Sequence, residues 1–306
     1  MRTFDSVVIG GGPAGMTAAL YLLRAGAKVA VVEKLSPGGQ VLMTEGIENY
    51  PGFPKGIKGF ELADLMAAHV DTYAHEKVGD EVREIRPGEK RHQLLVGEEW
   101  IETKSLILCT GARYRKLGVP GEAAFIGRGV SYCALCDGNF FRDRVVAVVG
   151  GGNSALEEAL YLSRLVKKLY LIHRRDEFRG VKCYQDKCFT HPKMEVLRSS
   201  VIREIRGDSE VRSVLVENLK SGETRDLPVD GVFVFVGFEP VIEYLPAEVA
   251  RDKGGVITDL EMRTNVPGIF AAGDIRSKNC RQVATAVGDG ATAATAALAY
   301  LEQLDA

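Results

Sequence analysis

The clearest pattern of apolar and polar positions in the chain occurs twice. VVIGGGPAGMTAALYLLRAGAKVAVVEK, from Val7, runs through a β-branched apolar stretch, a glycine cluster, apolar positions at helical spacing and a second apolar stretch. VAVVGGGNSALEEALYLSRLVKKLYLIHRR, from Val146, repeats that order. Gly10 falls on Gly150, Gly12 on Gly152, Gly15 on Ala155, Tyr21 on Tyr161 and Arg24 on Arg164, always 140 residues apart. Each copy predicts a strand, a tight turn, an amphipathic helix and a second strand, the βαβ order of a dinucleotide-binding unit. Between them GEKRHQLLVGEEWIE alternates as a hairpin does, and GGQVLMTEGIENYPGF (Gly38 to Phe53) reads as a long loop that is functional rather than disordered. Near the C-terminus TNVPGIFAAGDIRSKNCRQVATAVGDGATAATAALAYLEQL predicts a strand ending at Gly273 and Asp274, then a long alanine-rich helix.

The turns carry specific chemistry. The first glycine permits the sharp reversal, the second lets backbone approach a pyrophosphate, and the third position must be small for helix and strand to pack. Gly10, Gly12, Pro13, Ala14 and Gly15 hold those positions in the first copy, and Gly150, Gly152, Asn153 and Ser154 in the second. A helix N-terminus then offers N–H groups and a positive dipole end to phosphate. The second strand of the first copy ends in Glu33, an acid suited to ribose hydroxyls and so to the adenosine of FAD. At the same place the second copy has His173, Arg174 and Arg175, with Arg179 a turn later. Guanidinium groups there can hold a 2′-phosphate, which an acid would repel. One such bond of about 3 kcal/mol would favour NADPH over NADH by about a hundredfold.

Gly273 and Asp274 belong with the first copy, so the central segment reads as an insertion. RYRKLGVPG and GFEPVIEYLP flank it as hinges. The expected division is an outer FAD-binding domain of residues 1–113 and 247–306 and an inner NADPH-binding domain of residues 117–243.

Composition narrows the function classes. Hydrophobic residues make up 46% and charged residues 26%, with a formal net charge of −2, which is ordinary globular composition without a nucleic-acid or membrane footprint. No secretory signal and no membrane span is read from the pattern, so a cytoplasmic location is the default expectation. Six cysteines (Cys109, Cys133, Cys136, Cys183, Cys188 and Cys280) are too few for a disulfide scaffold. Cys133 and Cys136 form a C-x-x-C followed directly by Asp137, and in a reducing compartment such a pair is redox-active or metal-binding. Zinc, with Cys183, Cys188 or His191 as further ligands, and a purely structural disulfide are the alternatives; no metal is expected. Cys183 and Cys188 read as incidental thiols, and Cys109 and Cys280 as small packing residues.

Several motifs in order resemble the low-molecular-weight, bacterial-type thioredoxin reductases over nearly the whole length. They are GGGPAG at Gly10 to Gly15, GGQ and ENYPGF within Gly38 to Phe53, CTGA at Cys109 to Ala112, CALCDG at Cys133 to Gly138, GGGNSALEEA, HRRDEFR, FAAGD and RQVATA. The resemblance implies an α/β fold of two Rossmann-like, three-layer β/β/α domains, the second inserted into the first. It implies an FAD site that adds Gly39, Gln40, Asn49, Thr110, Gly111, Gly273, Asp274, Arg281, Gln282 and Val283 to the first turn and Glu33. NADPH on the second turn, thioredoxin or a similar small dithiol protein as partner, and a homodimer are implied too. Cys136 would face the flavin, Cys133 would attack the partner's disulfide, and Asp137 would move protons. Leu135 and Asn153 depart from the common Thr and Asp, and Cys109 from Ala. An NAD(P)H oxidase or peroxidase and a redox-sensing nucleotide-binding module are the alternative functions.

Overall fold

The computed structural model describes residues 1–43 and 46–305; Thr44 and Glu45, inside the Gly38 to Phe53 segment, lie outside it, as does Ala306. The chain divides into two compact units, Met1–Arg113 with Glu239–Ala306, and Tyr114–Phe238. The return crossing falls within GFEPVIEYLP, between Phe238 and Glu239. Each side of the double crossing is closed by a backbone bond: Val241 N donates to Gly111 O (3.0 Å) in the first unit, and Arg115 N to Gly237 O (3.0 Å) in the second.

In the first unit, strand Arg2–Ile9 lies between Val29–Val32 and Glu99–Leu108, parallel to both. Glu76–Val78 extends the parallel edge, and Ile269–Ala271 pairs in parallel with the end of Glu99–Leu108. The other half of that long strand pairs antiparallel with His92–Val96, which pairs with Val82–Arg86. GEKRHQLLVGEEWIE is therefore a hairpin, as its alternation predicts. Period-two alternation sends Val8 and Ile107 to one face, against helices Pro13–Arg24 and Val283–Asp305. Val7, Ile9, Leu106 and Leu108 go to the other face, against Ile85, Leu94 and Val96 of the antiparallel strands. Alanines at 293, 294 and 297 let the long helix approach Pro13–Arg24 closely, since side chains this short keep the axes near each other.

The second unit repeats this plan. Met194–Leu197, Lys168–Ile172, Val145–Val149, Gly231–Val234 and Val130–Ser131 form a wholly parallel sheet in that order. Val146, Val148, Leu169 and Leu171 face helix Asn153–Ser163 through Leu156, Ala159 and Leu162. Ala147, Val149, Tyr170 and Ile172 face an antiparallel sheet of Ser200–Gly207, Val211–Asn218 and Thr224–Pro228. Both units are α/β sandwiches of helix, parallel sheet and antiparallel sheet.

The Gly38 to Phe53 segment is less irregular than a loop: Gly39–Met43 is a 3-10 helix, and Ile47 bridges Ile57. Cys280 is exposed rather than packed, because it sits in the short run ahead of the last helix; Cys109 is fully enclosed in the core.

Candidate active site and the two nucleotide turns

The first turn is built by exclusion. Gly10 sits at φ +107°, and a Cβ there would lie 2.4 Å from Cys109 O. A Cβ on Gly15 would lie 1.8 Å from Gly10 O, so neither position accepts a side chain. Gly12 differs: nothing lies within 4 Å of the place its Cβ would occupy. It is the N-cap of Pro13–Arg24, no side chain caps that helix, and Pro13 stands in its first turn. Open space thus faces an uncapped helix N-terminus, the setting for a phosphate.

Glu33 lies beneath this turn. Its Oε2 accepts from Gly11 N (2.8 Å) and its Oε1 from Leu35 N (2.9 Å), which leaves lone pairs on both oxygens for further donors. The following loop is tied back to the turn, Gly38 N donating to Gly11 O (2.8 Å), and Gly39 backs onto Gly12. Gln40 donates to Ala112 O, Asn49 to Gln282 Oε1 (3.0 Å), and Thr110 Oγ1 to Val241 O (2.9 Å), beside the Tyr244 hydroxyl at 3.0 Å. Gly111 takes φ +69° and Gly273 φ +80°, which glycine alone adopts readily.

Asp274 follows Gly273, and its Oδ1 is buried without a hydrogen bond, with Lys278 Nζ at 3.8 Å. Burial pushes its carboxyl up, while Lys278 and Arg281 pull it back down. Lys278 is held elsewhere, donating to Asp289 Oδ2 (2.9 Å) and Thr285 Oγ1 (3.2 Å). Asp289 also pairs with Arg276 (2.8 Å) and accepts from Gly273 N (3.1 Å). A buried acceptor that lacks a donor fits a hydroxyl-bearing ligand. Arg281 is turned onto the carbonyls of Lys278 (2.7 Å), Gly254 (2.9 Å) and Arg276 (3.2 Å), which makes it a brace for its own loop. Val283 opens the last helix.

The second turn copies the first. Gly150, at φ +152°, would place a Cβ 2.5 Å from Phe235 O and 2.6 Å from the Ala155 Cβ. Gly152 caps Asn153–Ser163 without a side-chain bond, and again nothing lies within 4 Å of its Cβ position. Arg179 N and Gly180 N donate to Gly151 O (2.7 and 3.0 Å), and Val181 N to Asn153 Oδ1 (2.7 Å). The arginine loop is thereby laced to the glycine turn. Arg174, Arg175 and Arg179 are exposed, and among the described residues none takes part in a salt bridge. The intervening Asp176 does not neutralise them, since Lys220 and Ser199 Oγ (2.5 Å) hold its carboxylate. Ser154 is exposed at the helix start.

His173 departs from the cationic cluster that its neighbours form. It is 6% exposed, its ring centroid lies 4.6 Å from that of Phe178, and a Cβ on Gly151 would come within 2.4 Å of the ring. Burial, and after it the surrounding arginines, lowers its pKa, so the ring packs as a neutral support. The positive charge belongs to the three arginines.

Cys133 and Cys136 form a disulfide with Cα atoms 5.3 Å apart. The edge strand Val130–Ser131 delivers the chain to a short helix, Ala134–Asp137, whose N-cap is Cys133; its Sγ accepts from Cys136 N at 3.2 Å. Asp137 Oδ2 accepts from Ser131 Oγ (2.6 Å), and Cys133 N donates to the same hydroxyl (3.1 Å). Ser131 thus joins the acid to the first cysteine, a role that sequence spacing did not reveal. Both cysteines and Asp137 are half-buried, while Leu135 and Phe140 are exposed beside them. Tyr132 stacks on Tyr114 (5.4 Å), and its hydroxyl donates to buried Glu122 (2.9 Å), which also accepts from Leu117 N and Gly118 N.

The other thiols stand apart. Cys183 is exposed and Cys188 buried on helix Lys182–Phe189, and burial raises Cys188 to about 11. Among the described residues no group of three His, Cys, Asp or Glu side chains is placed to hold a metal ion. No helix among them is long and apolar enough to cross a membrane.

The pyridine nucleotide-disulphide oxidoreductase family matches residues 4–290. The thioredoxin reductase of Treponema pallidum (strain Nichols) is 43% identical over 301 residues, covering 98% of each chain. The crystal structure of thioredoxin reductase from Streptococcus pyogenes MGAS5005 superposes with a TM-score of 0.94 at 46% identity, covering 99% of each chain. The chain belongs to the thioredoxin reductases. Among solved members of that family, Lactococcus lactis thioredoxin reductase, described as the FR conformation, is 43% identical and covers 98% of this chain, with a TM-score of 0.69. Thioredoxin reductases are oxidoreductases of the pyridine nucleotide-disulphide class, so this chain works with a flavin and a nicotinamide nucleotide. The residues of the two turns fit both groups: paired open glycines at uncapped helix ends, and a buried acceptor at Asp274.

Proposed function

We propose that this protein is an NADPH-dependent thioredoxin-disulfide reductase, with FAD on the first unit, NADPH on the second and Cys133–Cys136 as the exchanging pair. The observation that carries this reading is a disulfide placed in the same unit as the arginine-lined turn, with an acid tied to it through Ser131. When bound, the flavin supplies two-electron acceptance from a nicotinamide and delivery of that pair to a disulfide.

Gly10, Gly12, Pro13, Ala14 and Gly15 would receive the FAD pyrophosphate, Glu33 the adenosine ribose, and Asp274 a further hydroxyl. Gly39, Gln40, Asn49, Thr110, Gly111, Gly273, Gln282 and Val283 would frame the rest, braced by Arg281. Gly150, Gly152, Asn153 and Ser154 would take the NADPH pyrophosphate. Arg174, Arg175 and Arg179 would hold its 2′-phosphate, with neutral His173 supporting the turn.

After reduction the Cys133 thiolate attacks the partner's disulfide, and one partner sulfur leaves as thiolate. Cys136 then displaces the second partner sulfur and re-forms Cys133–Cys136, so two electrons leave with the partner. Asp137 is positioned to supply and collect the protons of these steps. Cys136 is the sulfur assigned to the flavin.

The nicotinamide turn and the disulfide share one unit, yet both must meet a flavin held by the other. We therefore include rotation of the inner unit about residues 113–114 and 238–239.

The test is NADPH-driven reduction of thioredoxin, read as new partner thiols. Cys136→Ser should lose at least about a thousandfold in turnover and leave Cys133 holding the partner as a mixed disulfide. Wild-type turnover in that variant would refute the assignment.

A further inference from the structure

Asp289 lies under the Asp274 loop and has no place in the reading above. It stands between Gly288 and Gly290 in helix Val283–Asp305, a setting that weakens a helix and so needs another reason. A Cβ on Gly290 would lie 2.3 Å from Ala14 O, so the long helix meets the backbone of Pro13–Arg24 directly at this level. Gly273 packs on the same residue, since its Cβ would lie 2.9 Å from the Ala14 Cβ. These contacts hold the acid and the loop at one depth.

Both oxygens of Asp289 are engaged. Its Oδ2 accepts from Gly273 N (3.1 Å) and from Lys278 Nζ (2.9 Å), and Arg276 Nη1 lies 2.8 Å from its Oδ1. Arg276 is fixed from its other side, where its Nε donates to Thr258 Oγ1 (2.8 Å), and Lys278 has a second anchor in Thr285 Oγ1 (3.2 Å). The side chains of Arg276, Lys278 and Asp289 are no more than 13% exposed, so water screens these charges little. The same Lys278 ammonium is 3.8 Å from Asp274 Oδ1, beyond hydrogen-bond range, and that oxygen is buried without a hydrogen bond. A shift of about 1 Å would close the gap.

Asp274 and Asp289 thus both face one ammonium, and the second holds it. We infer that Asp289 is a positioning residue for the flavin: it keeps Lys278 off Asp274, so that the buried Asp274 oxygen stays open to a ligand hydroxyl. With Asp289 neutral, Asp274 would be the carboxylate left within reach of Lys278, and the ammonium would close onto it in a charge-assisted bond. A hydroxyl would then have to displace that bond, where it now meets an acceptor that lacks a donor. The inference rests on the reading that FAD binds the first turn with Asp274 as an acceptor.

The test reads FAD affinity, not turnover. The full chain is equilibrated with FAD, free FAD is separated by ultrafiltration, and a dissociation constant is obtained for each variant. Asp289→Asn, which keeps an oxygen for Gly273 N, should raise that constant at least about tenfold. In a Lys278→Met background the same substitution should raise it less than about twofold, because no ammonium remains to close onto Asp274. A residue that merely supported the fold would cost the same in both backgrounds. Thr285→Val removes the other anchor of Lys278 and is made in case Asp289→Asn does not fold. It should raise the constant about threefold with Lys278 in place and leave it unchanged in the Lys278→Met background. An unmoved constant in Asp289→Asn, or an equal rise in the two backgrounds for either substitution, overturns the inference. Failure of the functional reading would show elsewhere, as a wild-type protein that binds no FAD.

Discussion

The glycine turns at Gly10 to Gly15 and Gly150 to Ala155 have nearly the same backbone and opposite surroundings. In both, the second glycine faces open space, the helix behind it has no side-chain cap, and the following loop is tied to the middle glycine's carbonyl. Beneath the first lies Glu33, a carboxylate hydrogen-bonded to Gly11 N. Beneath the second lies the neutral ring of His173, with three guanidinium groups exposed nearby. The backbone sets where a pyrophosphate can sit, while the residue at the end of the second strand sets what may lie beyond it. An acid favours hydroxyls, and cations favour a phosphate.

Four experiments would break or sharpen that contrast. The largest effect is expected from Gly12→Val, whose Cβ would enter the open cradle with no protein atom within 4 Å. The chain should fold with near-native circular dichroism but purify without flavin absorbance; full flavin content would mean that the cradle is not the site. Next, Arg174→Ala with Arg175→Ala should lower kcat/KM for NADPH by about a hundredfold and leave NADH within a few-fold. Equal losses with both nicotinamides would detach the arginines from the 2′-phosphate.

A third, smaller effect concerns acid. His92 in the first unit is fully buried, and burial lowers it to about 4 against Pro267's opposing carbonyl; His173 in the second is lowered too. Both are neutral in the fold and would take up protons more readily unfolded. Stability should therefore be complete above about pH 6.5 and fall between that and about pH 4, by about 3 kcal/mol for His92. Urea unfolding at stepped pH checks this, and a flat profile across that window would contradict it. Smallest is Gly151→Ala: its methyl would press on the His173 ring and cost about 1–3 kcal/mol, whereas Gly152→Ala should cost little stability. Comparable losses at the two glycines would show that ring contact is not the cause.

Much of this was legible in the chain because its causes are local. A glycine that must reverse the chain, a β-branched run before it and apolar residues at helical spacing after it are constraints between near neighbours. So the α/β class, both βαβ units and the hairpin around His92–Val96 and Glu99–Leu108 could be read directly. What escaped depends on partners remote in sequence. His173 occupies a strand end next to three arginines, and only the approach of Gly151 and Phe178 shows that it is buried and neutral. Ser131 gave no signal until the strand placed it between Asp137 and Cys133. Asp289 lies in an alanine-rich helix, yet it anchors Gly273, Arg276 and Lys278 around Asp274.

The central claim is that Cys133–Cys136 stores an electron pair beyond the one held by the flavin. Anaerobic titration with NADPH measures this directly, followed at the flavin absorbance and by thiol count. The account predicts that the wild-type holoprotein takes up two equivalents per chain before it is fully reduced, and that Cys136→Ser takes up one. A wild-type endpoint at one equivalent, or an unchanged endpoint in Cys136→Ser, would contradict it.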